Sequence, residues 1–332
     1  MSNYIEKKAN AFKDMIFTLK KDDGCTIFGL QPSVGEGTMV CYELLPGIDL
    51  FFTKLRLFQA LTQQMQTYED GIEIMYCAEG MVEVEFKNHR CTFVHSGDIA
   101  LFNGRCGVKY CNFGEHFLHG LSLIVNPKEA SESLNRFLYT DEFCEENLLR
   151  QIRKSTISLC FPAGTVEEHI CKEMMNVPEK HKMHHLRLKA VELLLHLSVR
   201  DDATELECGY YAKSTADKIK DVRRRLLSDL GKKITIEEFA TEAHLNRTTL
   251  QQAFKAIYGC SIDEYRRRAR MQQARDMLLG TEYSVTVIAG MSGYNNGSKF
   301  SEAFKMYYGC SPLQYRMRYK NQEKDKPSIL RG

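Results

Sequence analysis

The sequence predicts an α+β protein of several domains: an antiparallel β-barrel with appended helices, followed by an all-α domain with an internal repeat. Three observations predict this architecture. Apolar and polar residues alternate from about residue 35 to 125, which is the period of half-buried strands. From Asn126 onward apolar residues recur with the helical period. Near the C-terminus a 14-residue phrase occurs twice, at 253–266 and 303–316, with nine identical positions.

The predicted barrel domain spans residues 1–125, and within it short strands separated by turns are predicted from about residue 35 to 125. The stretch Met81–Lys87 alternates strictly between apolar and charged residues. The stretch 71–80 before it ends in Glu-Gly, and 91–102 after it is split by Ser-Gly-Asp, both typical of tight turns. Regularly spaced hairpins without an intervening helix predict a small antiparallel barrel.

Helices are predicted for residues 126–200, in an appended subdomain. Pro127 suits the first position of a helix, and acidic residues follow it. Further helices are predicted at about 142–154, 166–176 and 179–200. An apolar stripe on the last helix fits either the core or a dimer seam; it consists of Leu186, Val191, Leu194, Leu197 and Ser198.

Residues 214–320 are predicted to form the all-α domain, between a linker at 201–213 and a polar tail at 321–332. Four hydroxyl residues in this domain are followed three positions later by an acid or an amide, which is the spacing of a capping box. They predict helix starts after Ser214, Thr235, Ser261 and Ser311.

A tight helix pair follows the second of these caps. The pattern predicts a helix at 236–243, a turn at His244–Leu245 and a second helix capped by Asn246. Two helices joined by so short a turn describe a helix-turn-helix, whose second helix enters the major groove of DNA.

The repeated phrase indicates a second helix-turn-helix. Its first helix starts after Ser284, its turn lies at 292–294, and its second helix is capped by Asn295 or Asn296. A long helix at Ile262–Leu279 joins the two pairs, so that both second helices could reach successive major grooves.

The charge distribution agrees with a nucleic-acid partner at one end of the chain. The formal net charge is only +2, but 213–320 contains 20 Lys and Arg against 11 Asp and Glu. Residues 1–212 contain 22 against 30. A basic C-terminal part is expected if that part meets a polyanion.

Residues 215–318 resemble the C-terminal DNA-binding domain of the AraC/XylS family. The matching stretches are IEEFATEAHLNRTTLQQAFK, RMQQARDMLL and VIAGMSGYNNGSKFSEAFKMYYGCSPLQYR. In the N-terminal part, EIMYCAEGMVEVEF and a later SGD resemble the cupin-type effector barrel of the same family. The resemblance implies a transcription regulator, usually an activator, that binds promoter or operator DNA. It also implies an effector in the barrel, a homodimer formed through the 179–200 helix, and contact with RNA polymerase.

The resemblance places the DNA-reading positions on the second helix of each pair. In the first pair these are Arg247, Thr248, Thr249, Gln251 and Gln252. In the second pair they are Gly297, Ser298, Lys299, Ser301 and Glu302. Glutamine can pair bidentately with adenine, whereas Glu302 beside phosphate is repelled. We therefore expect the first pair to carry more of the sequence specificity.

Five aromatic residues of the predicted barrel are candidates for an effector pocket, although each also fits ordinary core: Tyr42, Tyr76, Phe86, Phe93 and Phe102. The strand region has no H-x-H pair, the usual cupin metal motif, so we predict no metal there. The HKMHH stretch at 181–185 fits a polar helix face better than a zinc site. No catalytic motif is present, and we predict no enzymatic activity and no cofactor.

The N-terminus lacks the pattern of a signal peptide, and no apolar run approaches the length of a membrane span. Together with twelve scattered cysteines, interpreted as free thiols, this predicts a cytoplasmic protein that does not enter a membrane. Two alternatives remain at this stage. One is a DNA-binding regulator controlled by a protein partner or by its abundance. The other is a metal-dependent cupin enzyme fused to a DNA-binding domain.

Overall fold

The computed structural model forms two compact units, the N-terminal unit (Met1–Lys213) and the C-terminal unit (Ser214–Gly332). None of the helices in the described part of the chain is long and apolar enough to cross a membrane. The residues that the structure describes are 5–6, 9–10, 12–22, 24–58, 61–64, 71–104, 107–113, 116–144, 159–199, 211–232 and 234–324.

The N-terminal unit contains two antiparallel sheets. One sheet has eight strands in the order β1-β2-β3-β4-β11-β6-β9-β12, and the other has five in the order β13-β8-β7-β10-β5. The strands are β1 Ile16–Asp22, β2 Cys25–Leu30, β3 Gly35–Leu45, β4 Ile48–Leu57, β5 Leu61–Gln64, β6 Ile72–Glu79, β7 Met81–Phe86, β8 Arg90–His95, β9 Asp98–Asn103, β10 Val108–Phe113, β11 His116–Val125, β12 Leu159–Pro162 and β13 Tyr211–Ala212.

The centre of the eight-stranded sheet is buried on both faces. Alternate residues of β6 show this, because Ile72 and Ile74 belong to one apolar cluster and Cys77 to another. The first cluster includes residues of three helices, α1 Pro127–Leu138, α2 Thr165–Met175 and α3 Lys182–Ser198. The second cluster joins this sheet to residues of β7, β8 and β10 in the five-stranded sheet.

Several helices and strands of the N-terminal unit differ from those predicted from the sequence. α1 starts at Pro127 as predicted, and the Asn126 side chain caps it. Residues 141–144 are not helical, and the rest of the predicted 142–154 helix lies outside the described residues. β1, β2, β12 and β13 were not predicted. In β1, six of the seven residues are exposed, so the strand lacks the alternation that would reveal it.

The stripe on α3 lies in the core of the unit. Leu186, Val191, Leu194 and Leu197 are all buried among the residues of the first apolar cluster. The large hydrophobic side chains exposed on α3 and at its C-cap are Leu188, Leu195 and Val199, which follow one another at helical spacing. A dimer seam on α3 would therefore involve these three residues.

Among its described residues the C-terminal unit contains helices joined by turns and short connections, and no strand. Its helices are α4 Lys213–Ser228, α5 Ile236–Glu242, α6 Arg247–Tyr258, α7 Ile262–Gly280, α8 Val285–Met291, α9 Gly297–Tyr308 and α10 Pro312–Lys324. The predicted caps Thr235, Asn246, Ser261 and Ser284 each accept a backbone hydrogen bond, and Asn296 caps α9.

Two boundary predictions for this unit are wrong. Ser214 is not a cap, because α4 already starts at Lys213, directly after β13 pairs with β8. The last helix continues to Lys324, four residues into the predicted tail. Residues 201–210 of the predicted linker lie outside the described residues. Every cysteine that the structure describes is a free thiol, whereas Cys106 and Cys208 lie outside the described residues.

Candidate DNA-binding interface

The first helix pair, α5 and α6, is fixed by local hydrogen bonds. The Thr235 hydroxyl accepts from the Glu238 backbone, and the Glu238 carboxylate accepts from the Thr235 N–H at 2.7 Å. The carboxylate also accepts from the Thr235 hydroxyl at 3.0 Å, and the two bonds from Thr235 to the ionised carboxylate lower the pKa of Glu238. In the turn, His244 adopts a left-handed conformation at φ 50°, and Asn246 accepts from the Thr249 N–H at 2.7 Å.

The repeated phrase forms the same aromatic cluster in both pairs. In the first, the Phe254 ring lies 4.7 Å from Tyr258 and 5.5 Å from Tyr265. In the second, the Phe304 ring lies 4.7 Å from Tyr308 and 5.5 Å from Tyr315. Both phenylalanines are fully buried, and each recognition helix ends at a left-handed glycine, Gly259 or Gly309. The fifty-residue repeat is therefore a repeat of structure.

The predicted reading positions lie on the solvent side of α6 and α9. Eight of the ten are exposed, and Thr249 and Ser301 are half-buried. The opposite side of each helix is core, with Leu250 and Phe254 in α6 and Phe300 and Phe304 in α9. Each second helix therefore presents a polar face that is free to enter a groove.

Arg247, at the first position of α6, is held by a neighbouring helix. Its guanidinium lies 2.7 Å from the Glu237 carboxylate of α5, and both side chains are about 60% exposed. An ion pair this exposed is worth roughly 0–1 kcal/mol, so a DNA phosphate or guanine could replace it.

The basic run at 265–270 divides between structural and exposed arginines. Arg266 donates to the Ile234 carbonyl at 2.7 Å, and Arg270 donates to the Leu230 carbonyl at 2.8 Å. Burial lowers the pKa of Arg270. Arg267 and Arg268 are exposed and remain candidates for phosphate contacts.

Arg316 repeats the role of Arg266 in the second pair. It donates to the Tyr283 carbonyl at 2.6 Å and to the Leu278 carbonyl at 3.0 Å. Because Arg266 and Arg316 each bond a carbonyl just before their own helix pair, they lock the start of that pair to the helix that follows it.

The N-terminal unit contains a cavity of about 50 Å³ on the side of the eight-stranded sheet that faces the second apolar cluster. Its wall is mostly apolar, including Phe12, Met39 and Phe113. Three polar residues contribute, and two of them, Glu73 and Ser122, are buried. The third is Thr53. Because a carboxylate and hydroxyls can bond several donors, the cavity can select polar groups on a small guest.

Of the five predicted effector residues, Tyr76 lies in the wall of this cavity. Its side chain nevertheless belongs to the cluster on the helical face, where burial and then Glu168 and Cys171 of α2 raise its pKa to about 12. Tyr42 lies on the same helical face. The other three, Phe86, Phe93 and Phe102, are buried elsewhere in the unit. Sequence reasoning missed Glu73 and Ser122. The only signal for each of them in the sequence is that a polar residue lies within an apolar strand.

Histidines occur both in the strand region and in the HKMHH stretch. His119 lies on β11 with its ring 3.9 Å from the Glu79 carboxylate, and burial lowers its pKa. The side chain of His116 lies outside the described part. At the start of α3 the exposed His181 and His184 rings are 6.0 Å apart. Within the described ranges, no three His, Cys, Asp or Glu side chains are arranged to hold a metal ion.

Comparisons with known proteins give a match in both units. Residues 36–199 match the model of the regulatory protein PchR N-terminal domain, and residues 239–318 match the model of a helix-turn-helix domain. No curated protein matches the chain.

Solved structures with similarity to the chain include three bacterial proteins. The C-terminal domain of AraT, a response regulator from Geobacillus stearothermophilus, is 30% identical over 30% of this chain and 84% of its own, with a TM-score of 0.29. A DNA-binding transcriptional dual regulator from Escherichia coli K-12 is 23% identical over 32% and 93%, with a TM-score of 0.29. ToxT from Vibrio cholerae is 15% identical over 82% and 98%, with a TM-score of 0.30.

Together the two family models match most of the chain, and the helix-turn-helix model includes both recognition helices, α6 and α9. The protein is a DNA-binding transcription regulator with an N-terminal regulatory domain. It belongs to the AraC family, and its partner is double-stranded DNA.

Proposed function

We propose that the protein activates transcription from promoters whose operators are read by α6 and α9 together. The observation that carries this proposal is the pair of matched recognition helices, each with an exposed polar face and the same aromatic core. The helix between them, α7, has 19 residues and is therefore about 28 Å long. This length is close to one turn of DNA, roughly 34 Å, and suits two successive major grooves.

Selection of random double-stranded DNA by the full-length protein at physiological salt tests this proposal. We expect a motif with two blocks about one helical turn apart. A motif with a single block would contradict joint reading by the two helices. Recovery of no motif, with and without metabolite extract, would contradict the proposal as a whole.

We propose that a small-molecule effector binds the cavity beside Glu73 and Ser122 and shifts the protein between two DNA-binding states. Such a shift requires different effector affinity in the two states. Ser122→Leu should fill the cavity and abolish the response of a reporter gene to its inducer, while Ser122→Ala, which leaves the space open and removes only the hydroxyl, should weaken the response without abolishing it. Equal responses of the two variants would place the effector elsewhere.

The small size of the cavity favours the alternative in which no small molecule controls the protein. Pockets for drug-sized ligands measure roughly 300–1,000 Å³, well above the volume found here. A regulator controlled by a protein partner or by its abundance would need no larger cavity. Operator affinity that does not change with any metabolite pool would support that alternative.

We propose further that the protein acts in the cytoplasm as a homodimer, with no enzymatic activity, and recruits RNA polymerase. The exposed Leu188, Leu195 and Val199 on α3 are the candidate dimer seam. Leu195→Glu should convert dimers to monomers in sedimentation, because it places a charge in a desolvated interface. An unchanged sedimentation coefficient would exclude this face.

A further inference from the structure

One large apolar side chain lies on the polar face of the second recognition helix. Met306 of α9 is 89% exposed, and no large hydrophobic side chain among the described residues of the C-terminal unit is more exposed. Helical spacing places it about 20° around the helix from Lys299 and about 40° from Glu302. The buried Phe304 lies about 160° away, on the core side. Met306 is therefore on the same face as the predicted reading positions.

The fold does not require a methionine at this position. The fifty-residue offset of the repeat places Ala256 at the equivalent position of α6, where it is half-buried. Because α6 and α9 pack through the same aromatic contacts at the same distances, alanine is compatible with this helix and its core. The exposed side chain of Met306 is therefore available for a contact with a partner.

The position of Met306 on α9 indicates which partner covers it. When a recognition helix lies in the major groove, DNA covers this face of the helix. The base edges in that groove are hydrogen-bonding groups, and thymine alone among the four bases adds a methyl group, at C5. Contact with polar edges would desolvate them without a hydrogen bond, whereas contact with a methyl group removes apolar surface from water on both partners.

We propose that Met306 is a further specificity-determining residue, which selects thymine in the operator block read by α9 through contact with the C5-methyl group. This inference rests on the proposed function, in which α9 reads bases together with α6. The long, unbranched and flexible side chain of methionine can adjust to reach such a methyl group. The second pair would then read part of its block by apolar contact, where the first pair uses Gln251 and Gln252.

Replacement of thymine by deoxyuridine tests this contact, because it removes the C5-methyl group and leaves the O4 acceptor and the sugar unchanged. Each thymine of the selected operator is replaced singly, and the affinity of the full-length protein is measured by fluorescence anisotropy. At one of these positions we expect wild type to lose affinity about fourfold, which corresponds to one buried methyl group. Met306→Ala should bind the thymine and deoxyuridine operators equally at that position.

Two further variants serve as controls. Met306→Leu keeps an apolar side chain of similar size and should retain a preference for thymine over deoxyuridine. Met317→Ala removes a methionine that is 62% exposed on α10, outside both recognition helices, and should discriminate like wild type. The preference is a ratio of two affinities measured on one protein sample. Incomplete folding of a variant would lower both affinities and leave this ratio unchanged.

The outcomes separate this inference from the proposed function. A preference for thymine that persists at every position in Met306→Ala would overturn the inference alone, and so would the absence of any deoxyuridine effect on wild type. Met306→Ala that loses affinity while keeping the wild-type ratio would place the contact on sugar or phosphate, which also overturns it. Recovery of no motif by wild type would overturn the proposed function and the inference together.

Discussion

Glu302 is the residue at which DNA binding by the second recognition helix can be tested most directly. It is exposed on α9, one turn from both Lys299 and Lys305, so a basic stripe is interrupted by one acid. If this face meets DNA, the carboxylate repels phosphate. Glu302→Arg removes that repulsion and can add one phosphate contact.

The size of the effect follows from counterion release. Each added phosphate contact steepens the dependence of log affinity on log salt by about 0.9, so affinity between 50 and 200 mM salt should fall by a further factor of about 3.5. At low salt the variant should bind more tightly than wild type. Sequence preference should change little, because phosphate contacts do not read bases.

The assay is fluorescence anisotropy of the selected operator, titrated with full-length protein over a series of salt concentrations. Asp221→Arg is the control, since Asp221 lies on α4, outside both helix pairs, and its side chain is also exposed. We expect the control to leave the salt dependence unchanged. Equal slopes for wild type and Glu302→Arg would refute the placement of α9 against DNA, and a steeper slope for both variants would indicate a non-specific charge effect.

Three further predictions concern the first pair and the turns. Gln252→Ala should cost roughly 1–3 kcal/mol of operator affinity and relax preference at one base pair in repeated selections; an unchanged motif would contradict the assignment of Gln252. Gly293→Ala should lower the free energy of unfolding by about 1–2 kcal/mol, because the turn is left-handed and the new methyl would meet the Arg270 guanidinium. His244→Gly, at the equivalent turn of the first pair, should not lower the free energy of unfolding measured by chemical denaturation. Equal losses of stability for His244→Gly and Gly293→Ala would contradict the strain argument. Hydrogen bonds that lower the pKa of Glu238 stabilise the fold above the unfolded-state pKa, and this contribution disappears as pH falls through the lower folded-state pKa. The difference in melting temperature between wild type and Glu238→Gln should therefore shrink in acid.

The helix boundaries of the C-terminal unit could be predicted because the residues that set them act through local hydrogen bonds. A cap such as Asn246 and a stop such as Gly259 act through hydrogen bonds within a few residues, and those distances can be read from the sequence. The one wrong cap, Ser214, has a long-range cause. Tyr211 pairs with Cys91, 120 residues away, and this pairing ends where α4 begins.

The N-terminal unit shows where sequence patterns become insufficient. Alternation in β6 predicts two faces correctly, but it does not say which face borders a cavity and which packs on helices. Tyr76 was therefore a reasonable effector candidate, although its ring lies among residues of the helical side. Glu73 was overlooked because a single acid in a strand usually points to solvent, and its burial becomes apparent only once the second sheet is in place.

Comparison of the two repeats shows which residues can differ between two helix-turn-helix pairs that share one fold. Phe254 and Phe304 make ring contacts at the same distances, because the packing of a helix pair tolerates little change in volume. The exposed faces are free of that constraint. Gln252 and Glu302 occupy equivalent positions on recognition helices with equivalent cores, so their difference cannot be a requirement of folding. We therefore expect the difference to reflect what each helix contacts: Gln252→Ala should change sequence preference, whereas Glu302→Arg should change the salt dependence of affinity with little effect on sequence preference.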